Sequence, residues 1–292
     1  TINVDASEIT AMLADESAGR LTIADQAITV NSAATISVDT ANLLQATTTG
    51  VVTASITTTE TVSELNTLTG TNGAYTIVVA SGDATSTTAA QLNTLNGKTT
   101  VAVDLTNVTA LAGSSLSDLE TLASAINANE FSNDSGLTTI AVTDTTIDAT
   151  TLASTIDSYD AIGGTTDMTL ASGATINVDA GEITEMLTDE SAGRLTIVDQ
   201  VITVNGATTV DNANLLGATT TGKLTATIAT TETVTELATL SADGGTNDLT
   251  IVIRADDATV STAAQLNTIN AATALAVDLT NVTALAGSSL SD

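Results

Sequence analysis

Apolar and polar residues alternate over short runs of this chain, and short amphipathic segments lie between the runs. The alternation is clearest in Leu21–Ala24 and Val101–Asp104, where a period of two residues is typical of a strand with one buried face. Runs rich in Val, Ile and Thr favour strands, because β-branched side chains suit a pleated surface. The strands predicted in this way span Leu21–Val30, Val51–Thr57, Tyr75–Val79, Thr100–Leu105 and Thr138–Val142.

Helix-start signals lie between these runs. A Ser, Thr or Asp followed three residues later by Glu or Gln forms a capping box, which pairs backbone N–H groups that the first helical turn leaves free. Such boxes begin at Asp5, Thr61, Thr88 and Ser117 and predict helices of about two turns. One apolar anchor is expected in each helix: Ile9, Leu43, Leu65, Leu92, Leu119, Leu152, Ile183, Leu215, Leu237 and Leu266.

The predicted strands and helices recur along the chain, and a much longer repeat contains several of these recurring units. Residues 1–30 return at 175–204 with five changes, and the sequence of residues 103–118 returns unchanged at 277–292. Both matches have an offset of 174 residues. We therefore predict a first long repeat at 1–174, with six coils of about 29 residues, and a partial second repeat at 175–292, with about four coils. Because both ends fall inside a repeat, we expect one continuous segment of a longer chain.

The predicted fold class is mainly β: an elongated, right-handed parallel β-solenoid with a short helix in many coils. One coil of strands and a short helix cannot bury its apolar face alone, whereas stacked coils pair their strands and align their aliphatic side chains. The absence of Pro fits, since Pro removes a donor from a strand pairing. Residues 123–137, around Phe131, have a loop composition and are expected to bulge from this array.

Composition and charge narrow the function. The chain has no Cys, His, Trp or Pro, and its 34 acidic and five basic residues give a formal net charge of −29. Without His or Cys, the usual base and thiol chemistry is missing, so we predict that the protein is not an enzyme. The lack of a basic surface excludes nucleic acid as a partner. No apolar run is long enough to predict membrane insertion.

Calcium is the one candidate cofactor, because Ca²⁺ takes oxygen ligands. Asp104, Asp211 and Asp278 directly follow apolar residues in turn-like positions, and Asp256 and Asp257 are adjacent. These five carboxylates are the candidate metal ligands. The alternative is that such Asp side chains cap helices or lie in solvated turns, and the Gly-Gly-x-Gly-x-Asp nonapeptide of calcium-binding β-rolls is absent from the sequence.

Other surface motifs give further alternatives. Thr-rich stretches at 47–49 and 57–59 raise the possibility of ice-binding rows, but such rows need coils of constant length, and the predicted anchors are 22 to 34 residues apart. Pairs of carboxylates would also suit a polysaccharide-acting β-helix, although three aromatic residues cannot line a sugar-binding cleft. N-glycosylation sequons begin at Asn107, Asn133 and Asn281.

Three phrases carry a resemblance to a known kind of repeat: AAQLNTLNG at 89–97, TVSELNTLTG at 61–70 and VAVDLTNVTALAG at 101–113. They resemble the Thr/Ala/Asp-rich arrays of giant secreted surface proteins of bacteria, notably cyanobacterial and marine ones, that are described as adhesin-like or haemolysin-type. The resemblance implies secretion, a location outside the cell or at its surface, and a role in a matrix, fibre or adhesive layer such as a biofilm matrix. It implies no catalytic residue.

The sequence as a whole therefore predicts a structural role. We expect an extracellular filament or stalk segment of a giant secreted surface protein, whose partners are further copies of itself, joined head to tail, and cell-surface or matrix glycans. The alternative is a calcium-dependent adhesin or matrix-binding module. An ice-binding or polysaccharide-acting β-helix is the remaining possibility.

Overall fold

The computed structural model describes residues 1–31, 33–70, 72–162, 166–241 and 246–289. Within that part the chain forms ten α-helices and sixteen short strands. The α-helices are α1 Ile9–Ser17, α2 Val38–Thr47, α3 Val62–Leu65, α4 Ala89–Asn96, α5 Leu116–Asn127, α6 Ala149–Asp160, α7 Ile183–Ser191, α8 Val210–Thr219, α9 Val234–Leu237 and α10 Ala263–Ala271. Short 3₁₀ helices span Ala6–Glu8, Ser81–Asp83, Asp134–Gly136 and Ala255–Asp257.

The strands are short and lie between the helices. They are β1 Ile2–Val4, β2 Ile28–Val30, β3 Thr35–Ile36, β4 Val52–Ile56, β5 Ala74–Thr76, β6 Val103–Asp104, β7 Ala110–Ser114, β8 Phe131–Ser132, β9 Thr139–Val142, β10 Thr146–Asp148, β11 Asp167–Leu170, β12 Thr175–Asp179, β13 Leu195–Thr196, β14 Val201–Thr208, β15 Leu224–Ile228 and β16 Asp248–Thr250.

The chain divides into two compact units. The first contains residues 1–142 and 155–167, and the second contains residues 143–154 and 168–292. In the first unit, β1 pairs with β2, β2 with β4, and β4 with both β3 and β5, all in parallel. Two further parallel pairs join β6 to β8 and β7 to β9. In this register Ile28 lies opposite both Ile2 and Val52, so apolar side chains of successive repeats align.

The second unit repeats this plan. Strands β10, β12, β14, β15 and β16 pair in that order and in parallel, and β11 pairs in parallel with β13. The helices recur too, since Ile9 and Ile183, which begin α1 and α7, are 174 residues apart. The long repeat found in the sequence is thus also a repeat of elements. The predicted division of the chain at residue 174 stays a prediction.

The predicted fold class, a mainly β, elongated, right-handed parallel β-solenoid, is wrong. The structure is mixed α/β, with small parallel sheets flanked by helices. Most strands have two to five residues, whereas α5 and α6 have twelve each, more than the two turns expected. The description of the chain as a β-solenoid filament or adhesin depended on that fold class and is corrected with it, whereas the structural role and the extracellular location stay predictions.

The physical reason lies in the threonines. The Thr content predicts strands through β-propensity, but five Thr hydroxyls accept a hydrogen bond at a helix N-terminus instead, and this local bond favours the helix start. The Thr residues that cap helices in this way are Thr61, Thr88, Thr209, Thr233 and Thr262.

The core is aliphatic and contains side chains from both helices and strands. Anchors such as Ile9, Leu65 and Leu92 are buried as expected. Two predicted anchors are wrong, because Leu43 and Leu215 are 58% and 54% exposed, and a third, Leu266, is only partly buried. For Leu43 and Leu215 the next residue, Leu44 or Leu216, is the buried one.

The segment around Phe131 also differs from its prediction. The sequence predicts a loop that bulges at residues 123–137, but α5 continues to Asn127 and Phe131 begins β8. The Phe131 side chain is buried. The chain turns sharply on each side of this strand, at Asn129 and Asn133, which adopt left-handed backbone conformations with φ of 60° and 56°. Asn tolerates that region better than most residues.

Candidate functional site: contacts between repeats

Seven of the described helix starts are first stabilised by the side chain of their own N-cap residue. At α3, the Thr61 hydroxyl accepts from the Glu64 N–H at 3.2 Å, and the Glu64 carboxylate accepts from the Thr61 N–H at 2.7 Å. Hydrogen bonds from the Thr61 backbone and hydroxyl lower the pKa of Glu64. The capping boxes predicted at Asp5, Thr61 and Thr88 are confirmed. The box at Ser117 is wrong, because Ser115 is the N-cap of α5.

A second cap comes from the following repeat. The first helical N–H, which the N-cap leaves free, donates to an acidic or hydroxyl side chain 21 to 25 residues further along the chain. A negative charge at this position also interacts favourably with the helix dipole. The donor–acceptor pairs are Val38 with Glu60 at 3.1 Å, Val62 with Asp83 at 2.8 Å, Ala89 with Ser114 at 2.9 Å, Val234 with Asp257 at 2.8 Å and Ala263 with Ser288 at 2.9 Å.

Asparagine side chains form a second set of contacts between repeats. The amide of Asn42 donates to the Thr67 carbonyl at 3.1 Å, and its oxygen accepts from the Thr69 N–H at 2.7 Å. Asn93 donates in the same way to the Asp118 carbonyl at 2.9 Å. These bonds pair backbone groups that would otherwise face a neighbouring helix without a partner. The remaining members of this set are Asn66, which donates to Gln91, and Asn214, which donates to Thr239.

Of the five predicted metal ligands, Asp257 acts as a structural cap. Its carboxylate accepts from the Val234 N–H and from Nε of Arg254, the latter at 3.0 Å, and the residue is buried. Asp256 precedes it and is exposed, as is Asp211 in the first turn of α8. This matches the alternative interpretation of these Asp residues as caps and solvated turns.

Asp104 and Asp278 occupy equivalent turns in the two copies. Oδ1 of Asp104 accepts from the Thr106 N–H at 2.8 Å and hydroxyl at 2.6 Å, and Asp278 makes the same bonds to Thr280 at 2.8 and 2.5 Å. Burial acts to raise the pKa of Asp104, but hydrogen bonds from Thr106 and Asn133 outweigh it and lower that pKa. Hydrogen bonds from Thr280 lower the pKa of Asp278. Both carboxylates are therefore held charged by their own turns.

No three acidic side chains in the described ranges are grouped as a metal site would require. The structure does not bring the predicted ligands together beyond the adjacent Asp256 and Asp257. Calcium binding stays a prediction, and so does the absence of enzymatic activity.

Two of the predicted glycosylation sequons begin with an Asn whose amide nitrogen already has a partner. Asn107 donates to the Val79 carbonyl and Asn281 to the Ile253 carbonyl, each at 2.8 Å. A glycan on either nitrogen would compete with this bond.

An open depression of about 400 Å³ near the start of the chain is lined mainly by polar side chains, among them Asn3, Asp5, Glu8 and Asn31, and the Asn31 amide donates to Asp5 at 2.9 Å. Such a depression lacks the apolar walls that are typical of small-molecule sites.

The two copies of VDLTNVTALAGSSLSD differ in one respect that the sequence does not predict. Leu105 and Leu111 are each 2% exposed, whereas their counterparts Leu279 and Leu285 are 43% and 52% exposed. Because the sequences are identical, the difference lies in what covers them.

Sequence reasoning missed the polar side-chain contacts between repeats, namely the second caps and the Asn hydrogen bonds. A signal for them was present, since an acidic residue or Ser recurs 21 to 25 residues after the first residue of several helices.

Comparison with protein-family models, with curated proteins and with solved structures found no match. No described helix has the length and apolar character needed to cross a membrane.

Proposed function

We propose that this chain is a structural repeat segment of an extracellular surface protein, and that its partners are further segments of the same repeat type. The observation that carries the proposal is the second cap: five helix starts are completed by a side chain from the following repeat. A repeat with this dependence is stable only beside another repeat, and repeats of one kind are then added without new chemistry.

The polar side chains support the same role. Asp257 and Ser114 cap helices of the preceding repeat. Asn42 and Asn93 form hydrogen bonds to backbone groups of the next repeat, and Asp104 accepts hydrogen bonds within its own turn. Side chains that hold the fold together in this way are not available for catalysis. A net charge of −29 keeps such a surface soluble and separates neighbouring molecules.

The extracellular location is supported by the resemblance of residues 61–70, 89–97 and 101–113 to Thr/Ala/Asp-rich arrays of secreted bacterial surface proteins. Head-to-tail association of whole chains and contact with matrix glycans belong to the same proposal.

An exchange of repeats tests the proposal. Residues 9–118 are replaced by residues 183–292, which have the same length and contain the equivalent helices. The exchange keeps the residues that form the second caps and the Asn hydrogen bonds between repeats. We therefore expect the chimera to have the circular dichroism spectrum of the parent and a melting temperature within about 5 °C of it.

A matched control moves the inserted segment by two residues, replacing residues 9–118 with residues 181–290. This displaces every contact at the two junctions, and we expect loss of cooperative unfolding. If the in-register chimera is as unstable as the control, the repeats are not interchangeable and the proposal fails.

A second arm tests the role itself. The chain, with residues 1–174 present once or twice, is displayed between a cell-surface anchor and an antibody epitope. A structural segment should display equally well in both forms, and the longer form should make the epitope more accessible. If the epitope were equally accessible in both forms, this result would count against a role as a spacer that extends from the surface.

The calcium-dependent module remains the alternative function, and melting with Ca²⁺ or with EDTA separates the two. A ligand that binds only the folded state raises the melting temperature. We expect the melting temperature to be the same in both conditions, and a large rise with Ca²⁺ would favour the alternative.

A further inference from the structure

We propose that Asn205 and Gly206 form a self-modification site, at which the folded chain converts the Asn205 side-chain amide into a carboxylate. The reaction needs only water as its second reactant and turns Asn205 into a mixture of Asp and isoaspartate. This inference goes beyond the proposed structural function and does not depend on it.

The chemistry follows from the Asn-Gly dipeptide. The backbone nitrogen of Gly206 attacks Cγ of Asn205, a C–N bond forms, and the side-chain nitrogen takes up the Gly206 amide proton and leaves as ammonia. Water then adds to one of the two carbonyl carbons of the resulting five-membered imide ring and breaks one C–N bond, which gives Asp or isoaspartate. Glycine favours the first step, because it has no Cβ to keep its backbone nitrogen away from the side chain.

The chain contains three Asn-Gly dipeptides, which begin at Asn72, Asn96 and Asn205. In the first two, the amide nitrogen that would leave is held by a hydrogen bond. Nδ2 of Asn72 donates to the Thr49 carbonyl at 3.1 Å, and Nδ2 of Asn96 donates to Oε2 of Glu130 at 2.5 Å. Each side chain must break this bond in a local opening before it can turn to the following backbone nitrogen.

The backbone is also held at these two sites. Asn96 is the last residue of α4, so the helix fixes its conformation. At the other site, a Cβ added to Gly73 would lie 2.1 Å from the Tyr75 ring, which shows that the ring packs directly on the Gly73 backbone. Both dipeptides are therefore restrained in side chain and backbone.

Asn205 has neither restraint. Its side chain is exposed and forms no hydrogen bond with any described residue. Gly206 is exposed as well, with φ of 89°. Strand β14 bulges here, because Thr203 pairs with Thr225 and Ala207 with Thr227, so that four residue steps of β14 span two steps of β15.

The first copy shows the same place in the repeat with its Asn restrained. Asn31, 174 residues before Asn205, is followed by Ser in the sequence. Its Nδ2 donates to Oδ1 of Asp5 at 2.9 Å, and its Oδ1 accepts from the Ala33 N–H at 3.1 Å. The second copy thus combines an unrestrained amide with a following glycine, and the first copy has neither.

The product changes a contact between repeats. Asn205 lies opposite Asp179 where β14 pairs with β12, and paired strands are only about 4.8 Å apart. Deamidation places a second carboxylate beside that of Asp179, and like charges opposite each other destabilise strand pairing. Isoaspartate also lengthens the backbone of β14 by one carbon atom.

Ageing of the folded chain, followed by peptide mapping with mass spectrometry, tests the proposal. The purified protein is incubated in mildly alkaline buffer made with water that carries heavy oxygen, and each reacted Asn is identified by the label it takes up. Asn205 should react at least about 10-fold faster than Asn72 and Asn96, because those two react only after local opening.

The same chain unfolded in urea is the matched control. Without the folded structure the three dipeptides should react at rates within about 3-fold of one another. Equal rates at the three sites in the folded chain, or protection of Asn205 on folding, would overturn the proposal.

The variant Asn205→Gln provides the second control, because its longer side chain forms the corresponding six-membered ring far more slowly. Fresh samples of the variant and of the unchanged protein should melt alike. After ageing, the unchanged protein should contain isoaspartate, detected by enzymatic methylation, and should melt about 2 °C or more below the variant. If the two aged proteins melt alike although Asn205 has reacted, the proposed effect on the contact with Asp179 is wrong.

Discussion

The same Arg–Asp pair occurs at equivalent positions of the two copies in different surroundings. Arg20 and Asp15 form an ion pair at 2.6 Å with side chains 68% and 52% exposed, whereas Arg194 and Asp189 form one at 2.5 Å with side chains 28% and 4% exposed. The residues on either side are nearly identical, as residues 1–30 and 175–204 differ at five positions. Because most of the local sequence is shared, the surroundings of each copy, together with these five substitutions, decide whether its side chains are buried.

The segments 103–118 and 277–289 show the same dependence on surroundings, since equivalent leucines are buried in the first and exposed in the second. The leucines are buried where β8 and β9 pair with the segment, and they are exposed where the described residues contain no such strands. The same substitution should therefore lower the free energy of unfolding by different amounts in the two copies, because its cost depends on burial.

The largest difference is expected for a charge placed at equivalent leucines. Leu105→Asp buries a carboxylate without a partner and should lower the free energy of unfolding by about 4 kcal/mol. Leu279→Asp, at an exposed position, should lower it by less than about 1 kcal/mol. Urea denaturation followed by circular dichroism measures both, and equal losses would contradict the comparison.

The ion pairs provide the next test. Asp189→Ala leaves the half-buried Arg194 guanidinium without its carboxylate and should cost about 3 kcal/mol. Asp15→Ala removes an exposed pair and should cost less than about 1 kcal/mol, an effect that salt further reduces. Urea titrations at low and high salt separate the two, and a similar small cost at both positions would show that the burial of Asp189 carries no energy.

The caps between repeats should give a smaller effect. Ser114→Ala removes the acceptor for the Ala89 N–H at the start of α4, and the loss of a cap costs about 1 kcal/mol. Ser288→Ala removes the equivalent acceptor for Ala263 at an exposed site, where water can replace it, so about half that cost is expected. Ser114→Thr keeps a hydroxyl and is the control. If Ser114→Ala has no effect, the second cap does not stabilise the helix.

Ionisation of tyrosine at alkaline pH should lower the stability of the first unit. At neutral pH the tyrosines are protonated, so this loss of stability is absent. Both tyrosines of the chain, Tyr75 and Tyr159, lie in the first unit. Burial raises the pKa of Tyr75 to about 12 and also raises the pKa of Tyr159. The folded state then holds protons that the unfolded state releases above about pH 10, so the stability contribution is complete below pH 10 and is lost as the pH rises towards 12.

Unfolding of the first unit by urea between pH 8 and 12 measures this loss. The double variant Y75F/Y159F should remove the pH dependence that comes from tyrosine. An unchanged alkaline slope in that variant would assign the effect to other groups.

Part of this structure could be predicted from the sequence. The long repeat, the boxes at Thr61 and Thr88 and the strand at Thr138–Val142 are local patterns, and the structure contains them. The predicted strand Leu21–Val30 shrinks to β2, because a turn in which Gln26 N–H donates to the Ile23 carbonyl interrupts it.

The rest depended on contacts between repeats, which no local pattern contains. Leu43 and Leu44 are equally apolar, and only the position of the neighbouring elements makes Leu44 the buried one. From the sequence, Asp256 and Asp257 are equally suitable as metal ligands. Only the hydrogen bond from the Val234 N–H, 23 residues earlier, identifies Asp257 as a cap. For the same reason, Leu279 could not be distinguished from Leu105.

Hydrogen exchange at the backbone of the two identical segments tests the central claim most directly. Nuclear magnetic resonance can follow the N–H groups of Val103 and Leu105 beside those of Val277 and Leu279 in one sample. If the neighbouring repeat decides burial and stability, exchange in the first pair should be at least about 100-fold slower than in the second. Equal protection of the two pairs would contradict the account.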